Sequence, residues 1–339
     1  MTTLTGLNYT RTGLNYTRYL PAQQRGHYES FFQRANHPTR PLAFWIRYTI
    51  FSPKGRPADA VGELWAIFFD GERSQHTAVK QEWPISQCRF ARDQFAVQVG
   101  GAILDAMALR GMCAAGNHAI AWDLRYKGEQ PPILLLPPNL YEGGFPKAKS
   151  LVGLPLAVYD GELTVDGQII SIDGWVGSQN HNWGSQHTDL YAWGQVAGFD
   201  NAPNSFLEVA TARLKFGPIW TPPFTPLALR HGGQEYILTA LSQSLRSRGA
   251  FTYFRWTFAA ETGAVKIMGT ISAPPQAFVG LRYGNPPGGS KQCLNSKIAA
   301  CELLVLDKAS GQQQLLTTAH RAAFEILTND TAHGIPLQV

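Results

Sequence analysis

The sequence predicts an all-β protein built as two antiparallel β-barrels in tandem, and three observations carry that prediction. Apolar and polar residues alternate with period two along most of the chain, the pattern of half-buried strands. The 339 residues include 33 Gly and 22 Pro for tight turns and 18 Phe, 12 Tyr and 9 Trp for strands, with only 16% charged. The strand pattern also restarts after Gly184, so two comparable sets of strands follow one another. We expect the division between residues 185 and 195, with one barrel over 25–188 and the other over 189–339.

The elements follow in order. From Leu42 to Ile50 one face carries Phe44, Ile46, Tyr48 and Ile50 and the other Trp45, Arg47 and Thr49, until Pro53-Lys54-Gly55 ends the strand. Leu64 to Phe69 is apolar on both faces and stops at Asp70-Gly71. Further strands are expected at His76–Trp83, Phe95–Val99, His118–Tyr126, Leu151–Tyr159 and Gly161–Val165, with Asp160-Gly161 and Asp166-Gly167 as hairpin turns. Ala102–Arg110, flanked by Gly, reads as a short helix. In the second set, strands are expected at Leu190–Ala197, Ser205–Phe216, Glu235–Leu241, Phe251–Phe258, Ala264–Ser272, Ala299–Leu306 and Ala319–Ile326. Ahead of the first strand, Thr5–Arg11 is repeated at once as Thr12–Arg18; residues 1–24 are expected to be a polar, disordered extension.

Composition excludes several functions. The net charge is +5, but the basic residues are scattered, so the contiguous patch required by a phosphate backbone is missing and nucleic acid is not an expected partner. Cys88, Cys113, Cys293 and Cys301 show no CxxC pair and the nine His no metal-binding spacing, so neither structural zinc nor another metal is expected. No Gly-rich loop offers a nucleotide site. The longest aliphatic run, Ile133–Leu136, is too short to span a bilayer, and no signal-like segment opens the chain. These features describe a reduced, cytoplasmic protein that needs no cofactor.

The chemistry concentrates in Gln179-Asn180-His181-Asn182-Trp183-Gly184. Asn is depleted in strands because its side chain competes for backbone hydrogen bonds, so two Asn around a His mark either a polar network or a turn. Trp175, Trp183, Tyr191 and Trp193 place an aromatic wall beside these amides, the general make-up of an apolar ligand pocket with a few orienting polar groups. The structural alternative is a strand-end turn in which the amides satisfy backbone and His181 caps an end. Glu208 shares a strand face with Phe206, Ala210, Ala212 and Leu214, where a carboxylate must be paired or raised in pKa. It is read as a catalytic acid or as the partner of Arg47 or Arg255.

Four segments carry a resemblance: Asn180-His181-Asn182-Trp183-Gly184, Tyr191-Ala192-Trp193-Gly194, Phe44-Trp45-Ile46-Arg47-Tyr48-Thr49 and Cys293-Leu294-Asn295-Ser296-Lys297-Ile298-Ala299. Together they resemble the AttH-like and carotenoid 1,2-hydratase (hydroxyneurosporene synthase) group, over most of the chain after about residue 25. The last segment is also similar to tocopherol cyclases. The resemblance implies paired lipocalin-like β-barrels and, from characterised relatives, hydration or Diels-Alder cyclisation of polyenes. In the hydratases the motif begins Asp-His-Asn, whereas Asn180 is an amide and supplies no proton for an alkene.

The reading is therefore an enzyme of the lyase or isomerase type that folds an elongated isoprenoid, polyene or lipid-like substrate. His181, Asn180 and Glu208 are its candidate catalytic residues. Asn182, Trp183, Tyr191, Trp193, Trp45 and Arg47 are its candidate ligand-binding residues. A hydrophobic substrate of this kind implies peripheral contact with a membrane for its delivery. The alternative is a lipocalin-type carrier of the same ligand without chemistry. A cavity shared by His181 and Glu208 favours the enzyme.

Overall fold

A computed structural model of the protein describes residues 11–339. The first sheet contains β1 (His27–Asn36), β2 (Leu42–Ser52), β3 (Val61–Asp70), β4 (Gln75–Pro84), β5 (Cys88–Phe90) and β6 (Ala96–Val99). It continues through β7 (Ala102–Asp105), β8 (Ala108–Ala115), β9 (His118–Lys127), β10 (Ile133–Leu134), β11 (Ala148–Val165) and β12 (Gln168–Gly184). Its order is β4-β3-β2-β1-β12-β11-β9-β8-β7-β6-β5, with β10 paired to β11. The second sheet holds β13 (Leu190–Phe199), β14 (Ala202–Arg213), β17 (Leu227–His231), β18 (Gln234–Leu238), β19 (Arg248–Thr252) and β20 (Arg255–Glu261). It is completed by β21 (Val265–Ser272), β22 (Val279–Gly284), β23 (Ser290–Asp307) and β24 (Gln313–Thr328); β15 (Lys215–Phe216) and β16 (Ile219–Trp220) form a separate small hairpin. Both large sheets close the same way, the first strand lying antiparallel to the last: β1 on β12 and β13 on β24. The chain is thus all-β, with two barrel-like sheets in tandem, the first ending at Gly184 and the second starting at Leu190.

Alternation explains the peripheral strands. In β9, Ile120, Trp122, Leu124 and Tyr126 are buried, whereas Asp123, Arg125 and Lys127 face water. Strands β1 to β3 differ, being buried on both faces. Phe31, Phe44, Ile46, Tyr48 and Leu64 fill the first barrel with Tyr159 and Trp175. The opposite side of the same strands, Phe32, Trp45, Trp65, Ile67 and Phe69, joins Trp193, Val209, Trp256, Leu303 and Phe324 of the second sheet in one core. The outer wall of the first barrel is therefore also a wall of the second half, which is why Leu64–Phe69 reads as apolar on both faces.

Three expectations are corrected. Ala102–Arg110 is no helix but the β7–β8 hairpin: Ala102, Leu104 and Leu109 are buried while Ile103 and Met107 are exposed, and Asp105 Oδ1 accepts the amides of Met107 and Ala108 to make the turn. Asp160-Gly161 lies within the continuous β11 at a bulge and is not a hairpin; the extra residue is on the partner β12, where Gly174 has φ 61°. Asp166-Gly167 is the expected hairpin, both residues at positive φ. The alternative of a strand-end turn around His181 is set aside, the motif being the C-terminal part of a long strand, β12. Finally, the disordered extension expected over 1–24 lies outside the described residues for 1–10, but from Gly13 to Tyr19 the chain is packed, with Leu14, Asn15, Thr17 and Tyr19 buried.

Candidate functional site

Period two gives β12 two different faces. Gln179, His181 and Trp183 point into the first barrel, where register places Phe31 opposite His181 and Glu29 opposite Trp183. His181 Nδ1 lies 2.9 Å from the Leu14 carbonyl and Nε2 2.8 Å from Glu29 Oε1. Its ring stacks on Phe31 at 4.2 Å and is fully buried. Gln179 exchanges two 2.8 Å hydrogen bonds with Asn15, and the Arg18 guanidinium covers the Trp183 ring at 4.5 Å. Glu29 accepts from the amides of Arg18 and Tyr19 and from His27. Burial pulls the His181 pKa down, against the opposing effect of its hydrogen bond to Glu29. This side is closed: every polar group of His181 is occupied by the segment Leu14–Tyr19 and by β1.

The other face of β12 meets the second half. Ser178 Oγ donates to Gln195 Oε1 at 2.5 Å, Asn180 Nδ2 donates to Ser178 Oγ, and Gln195 Nε2 donates to both Asn180 Oδ1 and Glu208 Oε2 at 2.8 Å. Arg34 Nε donates to Gln195 Oε1 at 2.7 Å, and Trp193 Nε1 to Glu208 Oε1 at 2.7 Å. One buried network therefore joins the sheets, and Glu208 belongs to it without an ion pair to Arg47 or Arg255. Burial pushes Glu208 up to about 7, opposed by the Trp193 and Gln195 hydrogen bonds and the Arg34 charge. Because the folded pKa is raised, stability from this group is full at low pH and lost as pH rises from its unfolded value through about 7, by about 3 kcal/mol. Glu208→Gln removes this titration. The stability difference between wild type and variant in urea is expected to move toward the variant between about pH 5 and pH 8; a pH-independent difference would refute the assignment.

Asn182, next along that face, reaches a cavity of about 240 Å³ between the sheets. Its deep wall comprises Tyr28, Phe32, Trp45, Arg47, Tyr191, Trp193, His187, Tyr283 and Glu325, and Leu135, Leu136, Phe145, Phe216 and Phe224 extend it outward. Asn182 Oδ1 and Trp45 Nε1 are buried atoms with no hydrogen-bond partner among the described residues. Arg47 donates twice to Ser30 Oγ, at 2.9 and 2.6 Å, and sits 4.4 Å over the Tyr283 ring. Glu325 accepts from Lys297 Nζ at 2.7 Å and Asn295 Nδ2 at 3.1 Å. Burial, then the Arg47 charge, pushes His187 down to about 3, so its ring, stacked 4.0 Å from Tyr28, is neutral. Burial raises the phenols of Tyr191 and Tyr283 well above their usual range.

The structure thus brings Asn182, Tyr191, Trp193, Trp45 and Arg47 to one cavity. It places Asn180 and Glu208 in the network behind Trp193, and His181 with Trp183 on the far side of β12. His181 and Glu208 do not share that cavity, so this pair does not favour the enzyme over the carrier, and the case for chemistry rests on other groups of the wall. Glu325, Lys297, His187, Tyr28, Tyr283 and Glu29 were not singled out by sequence. Glu325 had a legible signal, a carboxylate sharing a strand face with Ala323 and Leu327, the criterion that found Glu208. Among the described residues no group of three His, Cys, Asp or Glu is arranged to hold a metal, and no helix is long and apolar enough to cross a membrane. The four cysteines are free.

No family profile matches the chain. Two uncharacterized proteins of Mycobacterium tuberculosis are 28% identical to it over 184 residues, 54% of this chain and 55% of each of theirs, so the match spans about half the length of those relatives. A crystal structure of a candidate AttH protein from Nitrosomonas europaea superposes with a TM-score of 0.55 at 14% identity, covering 89% of this chain and 91% of that one. Kievitone hydratase from Nectria haematococca gives 0.52 at 10% identity, over 90% and 89%. CghA with Sch210972 gives 0.53 at 12% identity, over 95% and 97%. The chain has the AttH-like fold.

Proposed function

We propose, starting from the fold shared with AttH-like proteins and a hydratase, that the chain is a cofactor-independent enzyme of the lyase or isomerase type. It binds an elongated apolar molecule, isoprenoid, polyene or lipid-like, in the junction cavity and hydrates, cyclises or isomerises it. The observation that carries this reading is the pair of orphaned atoms, Asn182 Oδ1 and Trp45 Nε1, in the wall of an otherwise aromatic and apolar cavity. A buried polar atom without a partner costs about 1–3 kcal/mol, an expense recovered when a ligand group enters. Glu325 is the proton-transfer group: it is the carboxylate of the deep wall, and Lys297 and Asn295 fix its orientation. Arg47 stabilises charge developing on a substrate oxygen, and Trp45, Trp193 and Tyr283 exclude water. His181, Asn180 and Glu208 act as scaffold, shaping β12 and orienting the Trp193 indole.

The test begins with apolar molecules that copurify with the protein from its native cells, identified by mass spectrometry. Incubated with fresh protein, the ligand is expected to convert to a product of the same mass or one heavier by a water molecule. Quantitative recovery of unchanged ligand would make the protein a carrier, not an enzyme.

A further inference from the structure

Arg47 is 4% exposed and lines the cavity, yet among the described residues no carboxylate lies within ion-pairing distance of it. The nearest candidates are engaged elsewhere: Glu63 pairs with Lys80 at 2.8 Å and Glu325 with Lys297 at 2.7 Å. Two donors of the guanidinium converge on one neutral acceptor, Ser30 Oγ, which itself contacts Thr49 Oγ1. It lies against the rings of Tyr283 at 4.4 Å and Trp45 and Trp65 at 5.8 and 5.9 Å, while the charges of Glu63 and Glu325 act on it from beyond ion-pairing distance. A buried cation is expensive unless paired, and π faces compensate only part of its lost hydration.

A second cation repeats the pattern. Lys149 also lines the cavity, is 6% exposed and, among the described residues, donates to the carbonyls of Gly143 and Pro146 and to no carboxylate. Around the whole cavity four basic side chains face two acidic ones, Glu325 and Asp189, and Lys291 stands 3.8 Å from the latter. Basic groups outnumber acidic ones around the cavity, and its deepest cation without an ion-pair partner is a planar fork suited to two oxygens.

We infer that the cavity selects amphiphiles with an anionic, two-oxygen headgroup, a carboxylate or its enolate equivalent, bound by Arg47, with the apolar body running outward along Leu135, Phe145 and Phe216. This deepens the proposed function and rests on its apolar cavity, while specifying what that reading leaves open, the charge of the ligand. The headgroup supplies the missing counter-ion and fixes which end of the chain enters first.

The probes are decanoate, 1-decanol and methyl decanoate, titrated calorimetrically into the full-length protein. Decanoate is expected to bind at least about tenfold more tightly than either neutral analogue, the effect of one charge-assisted hydrogen bond. Arg47→Met is expected to erase that preference while 1-decanol binding stays within about threefold of wild type. Arg47→Lys, which keeps the charge and loses the fork, gives an intermediate preference and serves if the methionine variant does not fold. Equal binding of all three probes to wild type, or a preference that survives Arg47→Met, overturns the headgroup inference and leaves the apolar cavity standing. Failure of every probe to bind overturns both.

Discussion

Glu29→Ala is expected to destabilise the protein by about 3–5 kcal/mol, the magnitude for a buried charge network that loses one member, and to lower the melting temperature by roughly 10 °C. The carboxylate is fully buried and holds together four donors from three parts of the chain: the amides of Arg18 and Tyr19, His27 Nε2 and His181 Nε2. Alanine strands all four, and the N-terminal segment loses its main anchor. Burial alone would push the Glu29 pKa up, but the hydrogen bonds from His181 and His27 hold it down at about 2. A depressed folded pKa means stability present above the unfolded value and lost as pH falls toward about 2, so acid should release the segment in wild type first. Urea denaturation and limited proteolysis between residues 19 and 26 measure both effects. A variant as stable and as protease-resistant as wild type would show that the cluster merely fills space.

Removing the Glu325 carboxylate is expected to reduce turnover by about 10²–10⁴, the range for a lost general acid or base, with ligand affinity within about tenfold of wild type. The single variant leaves Lys297, which is fully buried, without its counter-ion. Glu325→Gln combined with Lys297→Met removes both charges together and is the cleaner measurement. Undiminished turnover in a folded double variant would move the chemistry elsewhere.

Much of the architecture was legible because alternation and hairpin turns are local. Hidden were strands whose burial is set by the other half of the molecule. β1 contains Glu29, Gln33, Arg34 and Asn36, all buried, and so many polar residues disguise a strand unless their partners on β12, β13 and Lys297 are known. The same cause separated the predicted site. Asn182, Trp193, Tyr191, Trp45 and Arg47 converge as expected of an aromatic wall with polar groups, but composition treats neighbours in sequence as neighbours in space. In a strand, His181 and Asn182 face opposite ways. Glu29 and Glu325, the carboxylates in direct contact with His181 and Lys297, lie 152 and 28 residues from those partners, beyond the reach of any local pattern.

β12 is a partition with a different tenant on each side, and that arrangement governs how the molecule can diverge. Odd-numbered positions 179 to 183 secure the amino-terminal segment, whereas even-numbered positions 178 to 182 shape the junction and its cavity. Substitutions in one set leave the other chamber untouched, so ligand preference can drift at Asn182 while the anchor at His181 is preserved. Insertion or deletion of a single residue has no such freedom. Unless a bulge absorbs it, it rotates every following side chain to the opposite chamber, exchanging imidazole for amide on both sides at once. Change in the segment 178–183 is therefore channelled into replacement of residues, and alteration of length into the bulges that β11 and β12 already carry outside it.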